Sequence, residues 1–461
     1  MCGSAVQCDF LVRAACVMVA LLVAPGVVCG QDARILTPPT NVILPNANGI
    51  PPGQTASLEG GANVARADDS SSNWYNPAGL ARAKSSSVSA TGGAYQGTTV
   101  KMSAFPDQGG SFQHFPAVVA AVFKPSKGAW TYGYSLIQPN SWDSAIASQL
   151  MIPHESGQER IGYTAASQFS RILGSVGAAH DSSGWRYGFA AGLEFTSFEK
   201  DQTTSDILQT PTGASSFVGS SHFTGSATHL RLTAGVQRDL SKEWKIGATV
   251  RSPGVAIYTS GTATLDGVAA TTSPNVAAYL FASDATFKYK VPFEGSVGIA
   301  YERPRFEVEL ALRGFAGQSA YSVFSSDAQV VAVADDGHGG PPVTQTSAWA
   351  GVTSYPRAYV DAAVGGRAAL TENGVWKVHF GFATNRAPVT DQDQAFNAAS
   401  LYAATVGFSG RVPHFQASLG FRYEFGTSSD KNVQVPANGQ TITTNFSVRN
   451  IGMIYSVAYL F

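Results

Sequence analysis

Cysteine is scarce and confined to one place. The chain has 461 residues and four cysteines, Cys2, Cys8, Cys16 and Cys29, all ahead of residue 31. A small secreted domain stapled by disulfides is therefore excluded. Charge is also scarce: 13% of residues are charged and the formal net charge is −1, so there is no electrostatic case for nucleic acid. No interior segment supplies the roughly 20 apolar residues a membrane helix needs. The eight histidines show neither metal-ligand spacing nor a Ser/His/acid order, so no catalytic or metal site is read. The one apolar run, from Ala14 to Val28 behind Arg13, reads as a secretory signal. Val28 and Gly30 suit the small positions before a cut, which makes 1–30 a signal peptide and Gln31 the mature start.

What is abundant is period-two alternation. At the carboxyl end Ile451, Met453, Tyr455, Val457, Tyr459 and Phe461 alternate with small or polar residues, broken only by Ile454 and Leu460. Trp185, Tyr187, Phe189, Leu193 and Phe195 alternate with Gly188, Gly192, Glu194 and Thr196. The same two-faced pattern recurs at Phe306–Arg313, Trp376–Ala383 and Phe415–Phe425. Period alone fits a soluble sandwich or a membrane barrel. The connections decide. About fourteen strands follow from residue 86 onward, and every second connection is very short, as at Ser182–Ser183, Ser241–Lys242 and Val412–Pro413. Long loops alternate with these turns, the longest being the Gly/Ser/Ala-rich stretch 318–356. Tight periplasmic turns and long outer loops are the meander of an outer-membrane barrel. Trp130, Trp185, Trp244 and Trp376 each open a strand after a short turn, as an aromatic girdle at one membrane interface requires.

The expected fold is thus all-β: a transmembrane antiparallel up-and-down barrel over 85–461, multi-pass in a bacterial outer membrane. The Gly/Ala-rich stretch before it is too polar for a strand. Fourteen strands enclose more space than wall side chains fill, so 31–84 is expected to form a plug, or hatch, in the lumen. The strand ending at Phe461 is the expected signal for the barrel assembly machinery.

Within that stretch, Gly60–Gly61–Ala62, Ala65–Arg66–Ala67–Asp68–Asp69 and Asn76–Pro77–Ala78–Gly79–Leu80 resemble the outer-membrane long-chain fatty-acid transporter family (FadL-type, which includes aromatic-hydrocarbon channels). Weaker echoes are Arg251–Ser252–Pro253, Val291–Pro292 through Val297–Gly298, and Asn385–Asp391. The resemblance implies a fourteen-stranded barrel in which Asn76, Pro77 and Ala78 belong to the hatch. It implies passive transport of hydrophobic compounds, with capture in an outer loop groove, a lumenal pocket, hatch movement and lateral release at a kinked third strand. Gly133, in the middle of that strand, is compatible with such a kink. Apolar residues in the outer loops are the candidate groove: Ile207, Leu208, Phe217 and Val218 in one, Val255, Ile257, Leu280 and Phe281 in the next. Packing of the loops on each other is the alternative use of the same residues. Lumen-facing Arg186, Arg231, Arg251, Lys288, Lys290, Arg313, Lys377 and Arg422 could meet a carboxylate, or could pair with Glu194, Glu294, Glu307, Glu309 and Glu424. Long-chain fatty acids are the expected cargo. An aromatic-hydrocarbon channel and a surface-binding or structural barrel are the alternatives. No cofactor or energy source is implied, outer-membrane lipid is the expected surround, and one copy suffices.

Overall fold

The computed structural model describes residue 46 and residues 51–102, 110–154, 157–211, 213–270, 275–335, 340–389, 399–434 and 441–461. The signal-peptide expectation for 1–30 and the mature start at Gln31 lie outside these residues. Twenty strands form one antiparallel network. They are β1 (Ser87–Met102), β2 (Gly110–Phe123), β3 (Trp130–His154), β4 (Gly157–Ser182), β5 (Trp185–Thr210), β6 (Gly213–Asp239) and β7 (Trp244–Arg251). Next come β8 (Val255–Ala270), β9 (Asn275–Phe287), β10 (Glu294–Arg303), β11 (Phe306–Phe315), β12 (Tyr321–Ser325), β13 (Gln329–Asp335) and β14 (Val343–Ala348). The rest are β15 (Val352–Ser354), β16 (Tyr359–Ala369), β17 (Trp376–Asn385), β18 (Ser400–Val412), β19 (Phe415–Gln434) and β20 (Thr441–Leu460).

Fourteen of them close a barrel: β1 to β7 in sequence, then β10, β11, and β16 to β20, with β20 returning to β1. Closure runs in register from Ser87↔Leu460 upward, and Phe461 N donates to Ser86 O at 3.0 Å. Closing the ladder pairs strand edges that would otherwise face lipid without partners. The alternation orients the wall. Tyr187, Phe189, Leu193 and Phe195 point out and are 40–61% exposed, while Glu194 and Thr196 point in and are buried. Trp130, Trp244, Trp376, Phe306 and Phe415 are exposed at the ends where the short turns lie, in the girdle positions. The β4–β5 turn itself is Ser183–Gly184, with φ of 54° and 80°, the left-handed pair a two-residue hairpin demands.

Two expectations about the loops are corrected. The stretch 318–356 is not plain loop: β12 to β15 lie in it. Val323, Phe324, Val330 and Val352 join Phe169, Phe198, Phe223 and Phe287 in a buried cluster under the outer end of the wall. The Phe324 ring stands 5.0 Å from Phe287 and 5.2 Å from Phe223. The segment 199–225 is not loop either, because β5 and β6 run on as one ladder to Thr210↔Gly213. These strands are 26 and 27 residues long, against about 9–11 needed to span a bilayer, so they project far beyond it.

Candidate functional site

The segment 51–86 bonds to inward-facing residues of the wall strands. Leu58 O accepts from Thr405 on β18, Val64 O accepts from Gln237 on β6, and Tyr75 O accepts from Thr249 on β7. Its anchor is Arg66, 2% exposed, which pairs with Glu59 at 2.5 Å and with Glu309 of β11 at 3.2 Å. Glu309 also accepts the backbone N–H groups of Val64, Ala65 and Arg66. His379 of β17 adds Nδ1 against Glu59 at 2.8 Å. Burial alone would raise the Glu59 carboxyl, but Arg66, Arg367 and His379 outweigh it and hold it well below the usual carboxylate range. A depressed carboxylate stabilises above its unfolded value, so this contribution is complete at neutral pH. It is lost only as pH falls through the lowered value.

The Asn76 turn is built locally. Asn76 caps the short helical turn Pro77–Arg82 by accepting from Ala78 N at 3.1 Å, and Pro77 fits the first position because that N–H needs no partner. The side-chain amide then donates to Val64 O and to Val236 O of the wall. Wall glycines make room for this approach. A Cβ on Gly235 would sit 2.1 Å from Asn76 Oδ1, and one on Gly188 2.2 Å from Ala78 N. Gly235→Val is therefore expected to unseat the turn at a cost of about 1–3 kcal/mol. Trypsin should then cut at Arg82 or Lys84 in a barrel that still resists it, whereas unchanged protection would contradict the seating.

Gly133 has a different place from the one its position suggested. It sits in regular ladder between Val122 and Gly177, beneath Leu80, and a Cβ there would meet Leu80 Cδ2 at 2.7 Å. The irregularity in β3 is higher, a register shift between Ile137 and Asn140 that spans Gln138 and Pro139. Pairing of β2 with β3 stops at Val118↔Ile137, and above it β3 pairs with β4 alone among the described residues.

Above the N-terminal segment lies a cluster of buried charge. Arg171 and Arg231 pair with Glu194, and Arg231, Arg251 and Arg313 pair with Glu294. Four guanidinium groups thus gather round these two carboxylates, with buried Asp361 of β16 opposite Arg313 in the ladder. Trp74 lies between two of them, its ring 4.1 Å from Arg251 and 4.9 Å from Arg313. A cavity beside this cluster is walled by Trp74, Arg171, Arg231, Tyr289, Arg313 and Phe315 and roofed by Tyr321 and Val389. A second cavity shares Trp74 and Arg313 with it and reaches Pro139 of β3.

The eight candidate groove residues separate. Leu208, Phe217 and Leu280 face inward and are at most 9% exposed, Leu280 within the aromatic cluster. Ile207, Val218 and Phe281 point outward from the projecting strands, and Val255 and Ile257 lie together lower on the wall. Their split follows from period two, which a loop reading ignores. Lys288 and Lys290, expected in the lumen, are exposed between β9 and β10. Arg171 and Trp74 were not singled out. Phe169 and Leu173 flank Arg171 on the same inward face and give it an apolar look, while Trp74 lies in a stretch dominated by small residues.

No family model matches the chain, and no curated protein does. Solved structures do. A FadL homologue from Pseudomonas aeruginosa superposes with a TM-score of 0.60 at 13% identity, covering 91% of this chain and 100% of its own. The fold is that of the FadL-type outer-membrane transporters. The Pseudomonas putida toluene transporter TodX matches with a TM-score of 0.55 at 13% identity, over 92% of this chain and 100% of its own. The Ralstonia pickettii toluene transporter TbuX gives 0.53 at 12% identity, over 89% and 99%. At these identities the FadL-type likeness is one of fold.

Proposed function

We propose that the protein sits in the bacterial outer membrane and passively carries long-chain carboxylic acids across the outer saccharide layer into lipid. The observation that carries this reading is the cluster of guanidinium groups that walls an aromatic-lined cavity, Arg171, Arg231 and Arg313 at its surface. Guanidinium forks at a cavity wall are suited to hold a carboxylate. The aromatic walls suit an alkyl chain, whose burial is worth about 0.8 kcal/mol per methylene. Outward Ile207, Val218 and Phe281 supply apolar surface for first capture. The second cavity, leading past Trp74 to Pro139, supports release beside β3, where the ladder to β2 has stopped. Such a path requires the N-terminal segment to shift, which makes the Asn76–Pro77–Ala78 turn the gate. The strand β20 with Phe461 is the part offered to the assembly machinery, and one copy suffices for a lateral path.

An uncharged aromatic hydrocarbon is the alternative cargo, suited by the cavity walls and by the likeness to TodX and TbuX, but it leaves the guanidinium groups at the cavity wall without a ligand partner. Mass spectrometry of lipids co-purifying with the detergent-extracted protein tests the reading. Free fatty acids are expected, enriched over a control barrel. Phospholipid alone would contradict it.

A further inference from the structure

Barrel strands in lipid pair along both edges, because the bilayer offers no hydrogen bonds. One stretch of this wall does not. From Val255 to Ser260, β8 pairs with β6, running from Leu230↔Val255 to Ser226↔Ser260. Its pairing with β9 begins only at Gly261↔Ala285. Below Ala285, β9 turns inward: Thr286 and Phe287 pair with β12, and Lys288 N donates to Val323 O at 2.7 Å. The two chains meet again lower down, where Gly254 N donates to Val291 O at 3.1 Å. Between these points the outer edge of β8 has no backbone partner among the described residues. The sequence causes this. Ser252–Pro253–Gly254 and Val291–Pro292 interrupt neighbouring chains at the same level, and each proline withdraws an N–H from the ladder.

The gap lies at the outer rim of the apolar band. Tyr258 shares a row with Thr228 and Phe195, and above that row β5 presents Ser197 and Glu199 outward. Around the gap the outer surface is apolar: Val255 is 62% exposed, Ile257 61% and Tyr258 57%. Exposed Lys288 and Lys290 stand at its rim. Directly behind it, Tyr289, Val291 and Pro292 line the arginine cavity. Beside Gly254, His229 is 2% exposed and its Nδ1 has no hydrogen-bond partner.

We propose that this gap is a second lateral port, through which long-chain carboxylic acids already dissolved in the outer leaflet enter the arginine cavity. It rests on the transport reading above. The carboxylate passes from Lys288 and Lys290 at the rim to Arg231 and Arg313 inside, while the chain follows between β8 and the residues after β9. Strands β3 to β7 separate this port from the opening beside β3, so entry from lipid and release use different parts of the wall.

The test is alkylation of Ile257→Cys with a bulky maleimide, in the full-length protein in lipid vesicles, with oleic acid supplied from the lipid phase. Ile257 points outward, so the variant folds, and the same sample before alkylation is its own control. Phe195→Cys, in the row of Tyr258 on a fully paired part of the wall, receives the same reagent. Alkylation at residue 257 is expected to reduce oleate entry to that of vesicles without protein, and alkylation at 195 to leave it unchanged. Undiminished entry after complete alkylation at 257, verified by mass, would overturn the port alone. A wild-type protein that moves no oleate would overturn the transport reading and the port with it.

Discussion

Arg66→Ala releases the N-terminal segment from the barrel. Arg66 is the cation between Glu59 of the segment and Glu309 of the wall, and all three are at most 2% exposed. Removing it leaves Glu309 buried with backbone donors only, while Glu59 keeps Arg367 and His379. Breaking a buried pair in this way costs about 3–5 kcal/mol, mostly from the charge left behind. The loss is comparable to what the three backbone bonds to Glu309 supply, at about 1.5–3 kcal/mol for each bond to a charged group, so the seat is loosened. The expected readout in a planar bilayer is a steady ion conductance that the wild type lacks. Arg66→Lys keeps the charge but loses the forked donors, so it should give an intermediate, fluctuating conductance. A silent Arg66→Ala barrel would show that the segment is held by packing rather than by this charge.

Arg313→Met separates an acid from a hydrocarbon as cargo. Among the four clustered arginines Arg313 is the most accessible, its side chain 19% exposed, and it faces both cavities. Methionine keeps most of the apolar volume and removes the charge. A hydrogen-bonded charge contact is worth about 1.5–3 kcal/mol, so oleate affinity should fall roughly 10- to 150-fold. Toluene affinity should not change. Equal losses for both ligands would assign Arg313 a structural role only.

Much of the wall was legible because its physics is local. Alternation at Trp185–Phe195 and Phe415–Phe425 records a two-faced strand residue by residue, and short turns such as Ser241–Lys242 mark where the meander reverses. The seat for the N-terminal segment was half legible. The small inward faces are in the sequence as Gly188, Gly235 and Gly365, but what they make room for becomes clear only when the strands surround Asn76, Pro77 and Glu59. The outer end was not legible. Phe223 and Phe324 are far apart in sequence and lie among Ser, Thr and Gly, so nothing local shows that they meet. The arginine cluster draws on β4, β5, β6, β7, β10 and β11, with Arg171 and Glu194 paired across neighbouring strands. Charge sharing of that kind is a property of the closed ring and not of any one segment.

On the proposed function, the cavity above the N-terminal segment selects a carboxylate on an alkyl chain. Equilibrium binding of oleic acid and oleyl alcohol to the same purified wild-type protein tests it most directly, because the two ligands share their chain and differ in the head group. Preference for the acid by roughly tenfold or more at neutral pH is the expected result. Equal affinity would contradict the account and leave the arginines to hold the barrel together.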